Sequence, residues 1–163
     1  MKRNQNAVES SKNTNTMSYS IFGKKQPSDG PQKVYLSLNI SETMFNHGYV
    51  DLNKYALAMD PIVTFDELRK EMADKEKIFR NLVSNTAVLD RLRDAYSIDI
   101  PPVDKNLNAT EPGGKFIQLL LDDVLFTVSP IEKLPKGVTL FNAVTLPMGI
   151  RFKLYKYHWI PRN

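Results

Sequence analysis

Val34, Leu36, Leu38 and Ile40 alternate with Tyr35, Ser37 and Asn39, the period-2 pattern of a strand with one buried face. Residues 44–60 are less regular: Gly48 and Asn53 point to a loop, Tyr55–Met59 to a turn of helix or a short strand, and Pro61 ends the stretch. In Thr64-Phe65-Asp66-Glu67, Thr64 is placed to cap the Glu67 amide and Glu67 to reach back, with Val63 and Leu68 as the hydrophobic staple around that box. A helix is therefore predicted from Phe65, burying Phe65, Leu68 and Met72 and stopping near Asp74. Ile78, Phe79, Leu82 and Val83 repeat the helical spacing, and Val88, Leu89, Leu92, Ala95 and Tyr96 do so again after Ser84-Asn85-Thr86. Three short helices are expected.

Residues 97–115, with Pro101, Pro102, Pro112, Gly113 and Gly114, read as an exposed loop, long for a compact domain. Phe116–Leu121 and Val124–Val128 flank Asp122-Asp123, as a hairpin turning at the two acids or as one bent strand; Asp-Asp is a weaker turn than Asp-Gly, so the hairpin is preferred only slightly. Val138, Leu140, Val144 and Leu146 line one face of a further strand, with Asn142 the exception, and Pro147-Met148-Gly149 turns the chain. In the last strand Ile150, Phe152 and Leu154 face inward while Arg151, Lys153, Tyr155 and Tyr157 face out. The predicted architecture is α+β, an antiparallel β-sheet with a cluster of short helices inserted after the first strand.

Charge changes this picture at one end. Residues 1–33 hold six bases (Lys2, Arg3, Lys12, Lys24, Lys25, Lys33) against two acids (Glu9, Asp29), whereas 34–163 hold 16 of each, so the net +4 of the 163-residue chain sits in the N-terminal arm. Residues 1–16 offer a core almost nothing and are expected to be disordered. The chain thus divides into a flexible basic arm and linker, 1–33, and a single α+β domain, 34–163, long enough to bury its own core. A neutral body with a cationic arm is the layout of a protein whose arm meets an anionic partner.

Within the arm, Tyr19, Ile21 and Phe22 stand beside Lys24 and Lys25. Such a segment can dip into a lipid interface while the ammonium groups meet anionic headgroups. It can equally pack on the domain, or place its lysines on nucleic-acid phosphate. A second candidate is the final strand, Arg151-Phe152-Lys153-Leu154-Tyr155-Lys156-Tyr157-His158-Trp159, where Arg151, Lys153, Tyr155 and Lys156 offer charge and stacking surface to RNA. Exposed edge strands favour the same residue types for unrelated reasons.

Catalytic chemistry finds little foothold. The chain has no cysteine, hence no disulfide, thiolate metal site or Cys nucleophile, and only two histidines, His47 and His158, without metal-ligand spacing. Asp122 and Asp123 are adjacent; in a strand they would point to opposite faces, and in a turn they would be solvated. Gly113-Gly114-Lys115 is too short for a phosphate loop. No enzyme activity, catalytic residue, metal or cofactor is expected. Neither a signal peptide nor a membrane-spanning run is present.

A polar basic arm from Lys2 to Lys25, a strand Val34–Ile40, helical segments after Thr64 and Ile78, a long loop, and a returning sheet from Phe116 to Trp159 together resemble the small matrix proteins of rhabdoviruses. The resemblance is one of layout and size over nearly the whole chain. The Pro-Pro-x-Tyr budding signature is absent, Pro101-Pro102 being followed by Val103-Asp104, which suits the shorter matrix proteins of plant members. What the resemblance implies is a non-enzymatic viral assembly protein, peripheral to host membranes and part of the virion, that self-associates and bridges nucleocapsid and membrane. The alternative is a nucleic-acid-binding accessory protein.

Overall fold

The computed structural model describes residues 30–38, 45–46, 50–103 and 117–163. Tyr19, Ile21, Phe22, Lys24 and Lys25, the end of the first predicted strand at Asn39-Ile40, and most of the long loop (104–116) lie outside the described residues.

Among the described residues seven strands and two helices follow one another: β1 (Lys33–Ser37), β2 (Phe45–Asn46), β3 (Tyr55–Val63), α1 (Phe65–Ala73), β4 (Ile78–Asn81), α2 (Thr86–Tyr96), β5 (Ile117–Gln118), β6 (Val124–Pro130) and β7 (Phe152–Pro161). Five form one sheet in the order β3-β7-β6-β1-β4. The α+β class and the placement of the helices after the first strand hold. The pairing is mixed: β3-β7-β6 run antiparallel, but β1 is parallel to both its neighbours, β6 and β4. A strand whose neighbours both lie far along the chain is reached by crossovers rather than hairpins, which permits parallel pairing.

The predicted capping box is in place at one end: Thr64 Oγ1 accepts the Glu67 N–H at 3.1 Å and Leu68 is fully buried. The second predicted helix is instead strand β4. Ile78 N–H donates to the Gln32 carbonyl and Leu82 N–H to the Leu36 carbonyl, carrying the run along β1. Phe79 and Val83 then serve the helix-covered side and Leu82 the opposite one. A short apolar run fits both periods, and here β1 supplies the missing backbone partners.

Helix α2 closes with Ser97 in the left-handed region (φ 57°) and a hydrogen bond from Ile98 N–H to Leu92 O, the wrap that turns the residue after a helix back toward it. Ile98 and Ile100, assigned to an exposed loop from the sequence, are consequently buried in the core. Pro61 does not end β3; the strand passes it through an irregularity between Asp60 and Val63, tolerated because β3 is an edge strand and needs no N–H there.

Among the described residues no hairpin joins 117–121 to Val124–Val128. The β5 strand pairs with β2 in a separate two-stranded ladder, while β6 pairs with β1 and β7. Asp123, expected in solvent, is only 3% exposed. Its carboxylate accepts the N–H groups of Lys33 and Leu120, both at 3.0 Å, tying the start of β1 to the turn before β6. Asp122 is exposed, as expected for a turn acid.

Apolar side chains fill both sides of the sheet. On one side Val34, Leu36, Phe126, Phe152 and Leu154 meet Leu68 of α1 and Val88 and Leu92 of α2. Phe65, Tyr96 and Phe152 stack in sequence there. On the other, Tyr35, Leu125 and Trp159 pack with Leu82 and Leu119, with no helix residue among them, and Trp159 Nε1 donates to the Leu119 carbonyl at 2.9 Å.

Candidate functional surfaces

The outward alternation predicted for the last strand divides its four candidate nucleic-acid contacts. Lys153 and Tyr155 lie on the sheet face away from the helices, where Lys153 Nζ stands 5.1 Å from the centre of the Tyr155 ring. Tyr157 follows on the same side; its hydroxyl is bonded to Thr127, and burial pushes its pKa up. Arg151 shares that alternation but is engaged: its backbone N–H and its Nε each reach the Glu132 carboxylate at 2.8 Å. These bonds hold Glu132 below its usual pKa. Lys156 is on the opposite face. Its ammonium meets Glu67 Oε2 at 2.7 Å and stands 5.8 Å from the centre of the Phe126 ring, so it ties β7 to the first turn of α1.

His158 is half-buried between Ala58 and Val124, its Nδ1 enclosed without a hydrogen-bond partner. Tyr35 is buried near the Asp123 carboxylate, and both effects drive its pKa far above the usual value, against a smaller opposing effect of Arg80. Among the described residues, no group of three or more His, Cys, Asp or Glu is placed to hold a metal ion.

Between β6 and β7 the chain leaves the sheet from 131 to 150. The predicted strand Val138–Leu146 is a series of turns instead. Thr139 and Asn142 cause this by bonding their own backbone: Thr139 Oγ1 accepts Phe141 N–H, Asn142 Oδ1 accepts Thr139 N–H, and Asn142 Nδ2 donates to Gly137 O. Helix α2 holds the remainder. Asn85 Nδ2 donates to the Leu140 and Ala143 carbonyls, and the Arg91 guanidinium to those of Leu146, Pro147 and Ile150. The neck is closed by the Ile131 N–H to Arg151 carbonyl bond and by the Glu132–Arg151 pair. Leu140, Ala143 and Ile150 point into the body, while Val144 is 91% and Met148 97% exposed. Under the loop lies an open pocket of about 290 Å³ lined by Leu38, Val128, Leu134, Val138 and Phe141.

A further surface was not anticipated. β3 is the outer strand of the sheet, and among the described residues no strand pairs with its free side. Tyr55-Ala56-Leu57-Ala58-Met59 brings no charge to that edge, although Lys, Pro and bulges are the usual guards against edge pairing. Pro61 and the irregularity guard only its far end, where the Asp60 carboxylate accepts the Ile62 N–H and the Ile62 side chain stands 85% exposed. Arg162 fixes the near end through the Leu52 and Tyr55 carbonyls.

No known protein family matches the chain, and no curated protein is similar to it. Among solved structures it is similar to B116 of Sulfolobus turreted icosahedral virus, with a TM-score of 0.42 and 13% identity over 77% of this chain and 98% of that one. At that distance the function rests on the chemistry of the chain's own surfaces. No described helix is long and apolar enough to cross a membrane.

Proposed function

We propose that the protein is a non-enzymatic assembly protein of viral matrix type, which self-associates and bridges a nucleocapsid to an anionic membrane surface. The observation that carries this reading is the uncharged open edge of β3. Backbone donors and acceptors in an unpaired strand are a template for another strand, and an edge that natural proteins would normally block with charge is left open from Ala56 to Met59. Met59 and Ile62 add exposed apolar surface beside it. In this reading copies of the chain join through β3, and the arm with Tyr19, Ile21, Phe22, Lys24 and Lys25 reaches the anionic partner.

Light scattering across protein concentration tests it. Wild-type protein is expected to gain mass with concentration, and Met59→Pro with Ile62→Asp, which removes an N–H on the free side of β3 (Ala56 and Ala58 being the residues bonded to β7) and charges the flank, to stay monomeric with a native circular dichroism spectrum. Concentration-independent wild-type mass removes the reading.

The geometry of Lys153, Tyr155 and Tyr157 favours a second reading, a nucleic-acid contact on the helix-free face. A paired cation and ring can meet a phosphate and a base together. Lys153→Ala with Tyr155→Ala should then weaken RNA binding, with affinity falling steeply as salt rises. Absence of binding at low salt rejects it.

A further inference from the structure

We infer that the 131–150 excursion is the body's own membrane-docking element, inserting Phe141, Val144 and Met148 into the headgroup layer of an anionic bilayer; this deepens the assembly reading and rests on it.

Apolar side chains in a loop are ordinarily turned inward when the loop is free to fold over. Here the backbone has no such freedom. Five of its carbonyls are held by Asn85 and Arg91 on α2, its turn is closed by Thr139 and Asn142, and its neck is sealed at Arg151. Leu140, Ala143 and Ile150 already anchor it in the core. The outward Val144 and Met148 are thus presented by a braced scaffold, with Phe141 about half exposed beside them.

Charge decides among occupants. Residues 131–153 contain four bases (Lys133, Lys136, Arg151, Lys153) and one acid, Glu132, which Arg151 already neutralises. Lys133 and Lys136 on the excursion, and Lys153 just past its neck, make no ion pair among the described residues, and the rest of 34–163 holds 12 bases against 15 acids, so the body's positive charge is concentrated here. Two copies meeting through this region would oppose like charge, whereas an anionic bilayer attracts it. Only the half-covered Phe141 carries a ring on which a base could stack, whereas the two fully protruding side chains, Val144 and Met148, are aliphatic and gain on leaving water for the acyl boundary.

The test is co-sedimentation of the full chain with vesicles of phosphatidylcholine alone or mixed equally with phosphatidylserine. Wild type is expected to bind the mixed vesicles, and V144D/M148D and K133E/K136E each to lose about tenfold or more in affinity. Both variants should keep the wild-type melting midpoint and concentration-dependent mass, since these side chains are exposed. The inference is overturned if V144D/M148D binds within about twofold of wild type, or if only the arm variant K24E/K25E loses binding. It is equally overturned if V144D/M148D loses self-association, which would make the surface a contact between copies. Wild type that self-associates without binding vesicles defeats the docking inference alone. Vesicle binding lost in V144D/M148D, by a wild type that stays monomeric, supports docking and defeats the assembly reading.

Discussion

Asn85 holds Leu140 across 55 residues of chain: its side-chain nitrogen donates to the Leu140 carbonyl at 2.8 Å, while its side-chain oxygen accepts the Ala87 N–H and caps α2. One amide thus starts a helix and fixes the turn that presents Phe141. Asn85→Ala should cost about 2–3 kcal/mol, roughly 1 for the cap and the rest for two carbonyls left without their donor. Asn85→Ser should recover only the cap's share. Urea unfolding of the three proteins checks this, and a loss for Asn85→Ala no larger than a cap alone contradicts it.

Arg91 grips the far side of the same loop through three carbonyls. Arg91→Lys keeps the charge but lacks the planar fork that reaches separate acceptors. It should therefore behave like Arg91→Ala in amide hydrogen exchange, with faster exchange confined to the loop. Wild-type protection in Arg91→Lys would show that charge alone suffices.

The Asp123 carboxylate has a raised pKa because burial disfavours its charge, an effect only partly offset by the Lys33 and Leu120 N–H groups and the Lys33 charge. The folded protein then binds this proton more tightly than the unfolded chain. That contribution to stability is complete below the unfolded pKa of about 3.9 and is lost as pH rises through the higher folded value. Asp123→Asn does not titrate, so the difference in urea midpoint should move against wild type between about pH 3 and pH 7. A constant difference across that range would refute the assignment.

Lys156 and Lys153, three residues apart on β7, should respond oppositely. The partly exposed Lys156–Glu67 pair should show a coupling of about 0.5–1 kcal/mol in a double-mutant cycle. Lys156→Met should leave any RNA binding unchanged, since the side chain serves the helix side of the sheet. RNA affinity that falls as much for Lys156→Met as for Lys153→Ala would break this division.

Signals confined to a few residues were legible in the chain. The Thr64–Glu67 cap and the inward set Ile150, Phe152 and Leu154 follow from local spacing, and the structure places them so. The buried stripe of Phe65, Leu68 and Met72 is likewise where period 3.6 puts it. Decisions made by distant partners were hidden. Ile78–Asn81 becomes a strand because β1 offers it a ladder, and Val138–Leu146 fails to become one because Thr139 and Asn142 bond their own backbone and Asn85 on α2 takes the Leu140 and Ala143 carbonyls. Asp123 is buried because Lys33 needs an acceptor ninety residues away. The same limit applies to the surfaces: the alternation of Arg151, Lys153 and Tyr155, which also turns Lys156 the other way, is legible in the sequence, but the partners that commit Arg151 to Glu132 and Lys156 to Glu67 are not. An open edge at β3 exists only once the sheet order is known.

The most direct test of assembly through β3 is amide hydrogen exchange of residues 55–60 measured from dilute to concentrated protein. The account predicts protection of the free-side Leu57 amide that grows with concentration in wild type and is abolished in Met59→Pro with Ile62→Asp. Exchange that stays constant while light scattering reports growing particles would contradict it, because the copies would then be joining elsewhere.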